Sequence, residues 1–182
     1  MLFEKPGKQN TQEAVRLAAA TARKEGINTI ILSSNSGESV EELLKNDVSG
    51  IKIICVTQVH GSKAGGSEQL EQRKEALKQK GVIFLTATHL LSGVERAMST
   101  RFGGVYPVEI IAHTLRMFSQ GTKVCLEVSA MALDAGLIEH MQPVVALGGT
   151  GRGVDTAIVL RPSYGNAIFD TKMDYFICKP II

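Results

Sequence analysis

The apolar positions of this chain fall into short dense runs separated by helical patterns. Ile27–Ser33 and Ile51–Thr57 are apolar at most positions, as expected of strands covered on both faces of a parallel sheet. Val82–Thr86, Val144–Leu147 and Thr156–Leu160 repeat the pattern, and Tyr175–Cys178 reads as a short final strand. Asn10 is expected to cap a first helix, with Glu13 at its third position; the Ala-rich stretch to Lys24 continues it and Gly26 closes it. Val40–Lys45 predicts a second helix. Gln58–Ser67 reads as a loop, and Ser67–Lys80 as a charged amphipathic helix with Ser67 as cap and Gly81 as stop.

The stretch from Ala87 is irregular up to Gly104, with a helix expected over Gly93–Thr100. Pro107 suits the first turn of another helix, which runs to about Gln120 and ends at Gly121. Thr122–Ala135 predicts a helix closed by Gly136. Lys123, Glu127, Ala130 and Asp134 share one of its faces; Glu127 and Asp134 could line a cleft, but a solvated face is their expected role. The apolar helices Val108–Phe118 and Val124–Ala135 could give a homo-oligomer its surface, although ordinary core packing accounts for most of these residues.

Strands alternating with helices predict one α/β domain, a three-layer α/β/α sandwich with a mostly parallel sheet. No helix separates Val144–Leu147 from Thr156–Leu160. These two runs can pair as a hairpin, which makes the C-terminal part of the sheet antiparallel.

Composition narrows the functional classes. The 182 residues are 44% hydrophobic and 21% charged, so an ordinary packed core is expected. A net charge of +2 without a basic run gives no reason to expect a nucleic-acid partner. No apolar run approaches the ~20 residues that span a bilayer, and the first residues lack an apolar signal core. A cytoplasmic location without a membrane partner is the resulting expectation. Cys55, Cys125 and Cys178 are odd in number, far apart and set among apolar residues, which predicts buried free thiols rather than disulfides or a metal site.

The candidate chemistry gathers where strands end. In an open α/β sheet, ligands bind beyond the carboxyl ends of the strands, near the point where strand order reverses. Leaving those ends here are Ser33–Ser39, Thr57–Ser62, Thr86–His89 and Gly148–Gly153, all small, polar or glycine-rich. Ser34, Asn35, Ser36, Gly37 and Ser39 lie between an apolar strand and a helix start. Unpaired backbone N–H groups and the helix dipole favour an anion there, although Ser36 or Ser39 as a simple helix cap explains the same residues. Gly149, Thr150, Gly151 and Arg152 could add N–H groups and a guanidinium from the opposite loop. Thr57, His60 and Thr86 would contact the rest of the ligand. His60 and His89 stand beyond strand ends as candidate acid/base groups; an ordinary loop histidine is the alternative for each. No nucleophile triad, paired-carboxylate motif or Walker-type loop is present, so no motif indicates catalysis.

The segment Ser34-Asn35-Ser36-Gly37-Glu38-Ser39 resembles the phosphate loop of flavodoxins, Ser/Thr-x-Ser/Thr-Gly-x-Ser/Thr after a first strand. The resemblance implies FMN as ligand. The rings that would flank a flavin are limited to Phe102, Tyr106 and Tyr164, and this chain begins with a helix, which flavodoxins do not. Taken with Ile53-Ile54-Cys55-Val56-Thr57 and the strand, Gly-rich loop and strand over Val144–Leu160, the chain also resembles the C-terminal domain of pyruvate kinase. The chain departs from that family in that 182 residues cannot hold the catalytic barrel alongside this domain, so pyruvate kinase activity is not expected. The resemblance implies phosphate contacts at Ser34, Ser36, Gly37 and Ser39 and at Gly149, Thr150, Gly151 and Arg152. Ala87–Gly136 looks additional to such a domain. The expected function is binding of a phosphorylated small molecule, FMN first. The alternatives are a flavin-dependent oxidoreductase and a regulatory or assembly module that senses a sugar phosphate.

Overall fold

A computed structural model describes residues 1–62 and 68–181. The expected Ser67 cap and the end of the loop before it lie outside the described residues. The dense apolar runs form the middle of a seven-stranded sheet. In spatial order its strands are β1 (Leu2–Phe3), β7 (Lys172–Pro180), β6 (Thr156–Arg161), β5 (Val144–Gly148), β2 (Thr29–Ser33), β3 (Lys52–Val56) and β4 (Ile83–Leu85). β6 alone runs against the other strands and pairs with β5 in the expected hairpin. After β4 the chain crosses back to β5 on the other side of β2, so strand order reverses between β2 and β5.

Side chains alternate across the sheet. Ile30, Leu32, Ile53, Cys55, Val145 and Leu147 pack under α1 (Thr11–Glu25), α2 (Glu38–Leu43) and Leu77 of α3 (Glu68–Gln79). Ile31, Ile54, Val56, Val144 and Ala146 pack under α6 (Gln120–Asp134). The three-layer α/β/α architecture is therefore present. α5 (Pro107–Arg116) lies outside α6, with Ala112 against Leu126, and α4 (Val94–Phe102) adjoins α5.

Several local expectations are corrected. β1 precedes the first helix, and β7 is nine residues long rather than a short final strand. Asn10 does not cap α1: it lies in a 3-10 turn and its side chain donates to Lys5 O at 2.7 Å. Thr11 instead accepts from Val154 N–H at 3.1 Å, because the β5–β6 loop packs onto this helix start. α2 begins after Gly37 (φ 82°), so neither Ser36 nor Ser39 is its cap.

Gly121 does not end a helix. α5 stops at Arg116, Ser119 caps α6 by accepting from Thr122 N–H at 2.9 Å, and Gly121 is the second residue of α6. Its glycine identity serves close packing. A Cβ there would lie 2.3 Å from Thr156 Oγ1, and one on Gly148 would lie 2.5 Å from Gly121 O. The first turn of α6 thus rests directly on the β5–β6 hairpin. A buried hydroxyl chain runs through the contact. Thr156 donates to Asp155 Oδ1 at 2.9 Å, leaving Ser119 to donate to Thr156 at 3.0 Å and Thr122 to donate to Ser119 at 2.8 Å.

α6 is buried nearly all round, between sheet and α5. Glu127 is only 2% exposed, so the expected solvated face exists at Asp134 but not at Glu127. α6 is therefore core, whereas Ile110 of α5 and the following Met117 and Phe118 remain exposed. The three cysteines are buried free thiols. Burial pushes Cys55 up to about 12 and Cys178 up to about 11, which keeps both protonated and unreactive at neutral pH. Among the described residues, no helix is long and apolar enough to cross a membrane.

Candidate functional site

The reversal of strand order opens a cleft of about 830 Å³ above the carboxyl ends of β2, β3 and β5. One wall is the β2–α2 loop. Ser34 Oγ accepts Gly37 N–H at 3.0 Å and Ser36 Oγ accepts Glu38 N–H at 3.4 Å. The loop therefore satisfies two of its own amide donors, and an anion would meet serine hydroxyl hydrogens rather than those N–H groups. Arg73 of α3 braces the loop from behind, donating to Ser36 O at 2.9 Å. At the mouth, Glu38 pairs with Lys8 at 2.6 Å. That lysine, with Arg73 and Arg152 adding smaller attractions, holds the Glu38 carboxyl below its ordinary range.

The opposite wall is the β5–β6 loop, with Gly149, Gly151, Arg152 and Gly153 on the cleft. Gly153 (φ +72°) is required by contact as well as conformation, since a Cβ would lie 2.2 Å from Thr11 Oγ1.

The floor and far end come from α6 and the segments before it. Arg96, Arg116, Gln120, Lys123 and Glu127 line this region with His89. Lys123 and Glu127 form a buried ion pair one helical turn apart. Glu127 also accepts Leu91 N–H at 2.8 Å, and His89 Nδ1 stands 3.9 Å from its Oε2. His89 Nε2 lies 3.2 Å from Thr57 O, an acceptor only, so Nε2 carries a hydrogen in that contact. Burial lowers the Lys123 ammonium from its ordinary range; Glu127 opposes this, and the Arg116 and Arg96 guanidiniums add to the depression.

Of the residues expected at the site, Ser34, Asn35, Ser36, Ser39, Thr57, Gly149, Gly151 and Arg152 line this cleft. Gly37 is buried behind its wall, and Thr150 sits in the loop without lining it. His60 and Thr86 line a separate small depression with Thr57 and Asn35. Phe102, Tyr106 and Tyr164 do not line the cleft, so none of the three expected rings stands where a flavin would stack. Lys8, Arg96, Arg116 and Lys123 are additions that the sequence did not single out, and Glu127 takes the cleft position rather than the solvated face. For Lys123 and Glu127 a signal existed: they lie among Val124, Cys125, Leu126 and Val128, and a helix apolar on every side is a buried one. Arg96 and Arg116 carry no comparable local signal.

The family of the pyruvate kinase alpha/beta domain matches residues 12–160. The chain belongs to this family. Ala87–Gly136, which looked additional, lies within the match and supplies α6, the helix covering one face of the sheet. Two solved structures of pyruvate kinase from Cryptosporidium parvum are similar to the chain. One shares 15% identity at a TM-score of 0.45, covering 83% of this chain and 22% of that one. The other shares 16% at 0.43, covering 86% and 23%. The chain thus spans less than a quarter of the length of these relatives.

Proposed function

We propose that this pyruvate kinase alpha/beta domain binds a phosphorylated small molecule in the cleft between the Ser34–Ser39 loop and the β5–β6 loop. The observation that carries the reading is charge. Among its described lining residues the cleft has five basic side chains, Lys8, Arg96, Arg116, Lys123 and Arg152, against the two carboxylates Glu38 and Glu127. A concave surface with such an excess concentrates anions. Serine hydroxyls on one wall and a glycine loop with Arg152 on the other suit a phosphate group between them. FMN is the ligand the loop pattern suggests, and sugar phosphates are the second candidate, needing no ring to stack on.

Arg152→Ala is expected to weaken binding of FMN or a sugar phosphate by about tenfold or more, as loss of one charge-assisted contact worth ~1.5–3 kcal/mol implies. Titration followed by flavin fluorescence, and by calorimetry for colourless phosphates, measures this. Unchanged affinity for every phosphate bound would remove Arg152 from the site. Binding of sugar phosphates but not FMN would replace flavin with a colourless ligand. We also propose that the chain alone does not transfer a phosphoryl group from phosphoenolpyruvate. It corresponds to less than a quarter of the pyruvate kinases it resembles. Pyruvate formation dependent on ADP, by the purified chain, would overturn that proposal.

A further inference from the structure

The Lys123–Glu127 pair is poorly explained as scaffolding or as an anion contact. A buried ion pair is often no better for stability than apolar residues of the same volume. As an anion contact it is inefficient, because the charge of Lys123 is largely cancelled by the acid beside it, while Arg96 and Arg116 bring guanidiniums to the same end of the cleft. What the pair does offer is an amine and a carboxylate within proton-exchange distance, shielded from bulk water and on the wall of a cleft.

We infer that Lys123 is the nucleophile of a carbonyl-condensing site, forming a Schiff base with a phosphorylated aldehyde or ketone bound in the cleft. The inference rests on the phosphate-binding reading above and deepens it by naming the ligand's reactive group. Glu127 takes the proton that frees the amine. The amine nitrogen attacks the carbonyl carbon, and a proton passes from that nitrogen to the carbonyl oxygen, which becomes a hydroxyl. Protonation by Glu127 expels that hydroxyl as water and leaves a carbon–nitrogen double bond, so one water is released and nothing is oxidised or reduced. Leu91 N–H fixes one oxygen of Glu127, and His89 Nδ1 stands 3.9 Å from the other. Burial, opposed by the Glu127 carboxylate and supported by the nearby guanidiniums, moves Lys123 toward the neutral amine on which the attack depends.

Pyridoxal 5′-phosphate serves as a phosphorylated aldehyde probe. The purified chain is incubated with it, reduced with borohydride to lock any imine as a secondary amine, and peptide-mapped by mass spectrometry. Lys123 is expected to carry the main adduct. Lys123→Arg, which keeps a cation beside Glu127 and is checked for folding by thermal melt, is expected to lose it while still binding the probe non-covalently. An adduct on Lys8 or other lysines with none on Lys123 would overturn the inference and leave phosphate binding standing. Equal labelling of Lys123 by pyridoxal without its phosphate would instead overturn the phosphate-binding reading on which the inference rests.

Discussion

Glu127→Ala is expected to destabilise the fold by about 3–5 kcal/mol, the usual result of leaving one member of a buried ion pair alone. Two groups lose their partner together. The Lys123 ammonium remains buried among like charges, and Leu91 N–H loses the acceptor it reaches at 2.8 Å. Denaturant unfolding reads the loss directly. Lys123→Met combined with Glu127→Leu removes both charges and should recover most of it, since matched apolar replacement of a pair is often near neutral. A loss below about 1 kcal/mol for Glu127→Ala, the range of exposed pairs, would mean that the pair is solvated.

Gly121→Ala is expected to cost about 2–6 kcal/mol. Overpacking accounts for ~1–3 of this, and disruption of a buried hydrogen bond adds ~1–3. The new methyl group would lie 2.3 Å from Thr156 Oγ1, 2.4 Å from Thr156 Cβ and 3.0 Å from Asp155 Oδ1. It would have to displace the middle of the Ser119–Thr156–Asp155 hydroxyl chain or lift α6 off the hairpin. Alanine is otherwise the better helix former, so at an exposed helical position this substitution would stabilise by up to about 1 kcal/mol. The sign of the change in midpoint therefore decides whether close packing or helix propensity governs position 121.

These two residues also mark where the sequence stopped being legible. Strands Thr29–Ser33, Lys52–Val56, Val144–Gly148 and Thr156–Arg161 were readable because residues buried on both faces of a sheet leave an unbroken apolar run. The hairpin followed from the lack of a helix between two of them. The rim loops were readable because small polar residues must follow such strands for the chain to turn. Gly121 was misread because glycine closes helices more often than it opens them, and its true role depends on Thr156, 35 positions away. Lys123 and Glu127 have the spacing of an ordinary surface pair, which outweighed the apolar neighbours that signal a buried helix; α5 packing outside α6, with Leu91 N–H closing over the acid, makes them interior. Arg96 and Arg116 reach the cleft from segments whose placement is wholly tertiary, so no local pattern announces them. The two-residue strand β1 is too short for periodicity to register.

The pairing of β1 with β7 has a consequence for the order in which the molecule forms. Leu2 aligns with Lys179 and Phe3 with Pro180, and α1 packs on β5, β6 and β7 as well as on β2. A chain leaving the ribosome exposes these early segments long before their partners exist. The apolar side of α1 and the open edge of β2 must then wait for residues 144 onward, so the native sheet closes only after those residues are made. Such long-range closure slows folding and leaves apolar surface exposed in the interval. The growing chain is thus most dependent on protection from aggregation until residues 144–180 have been made.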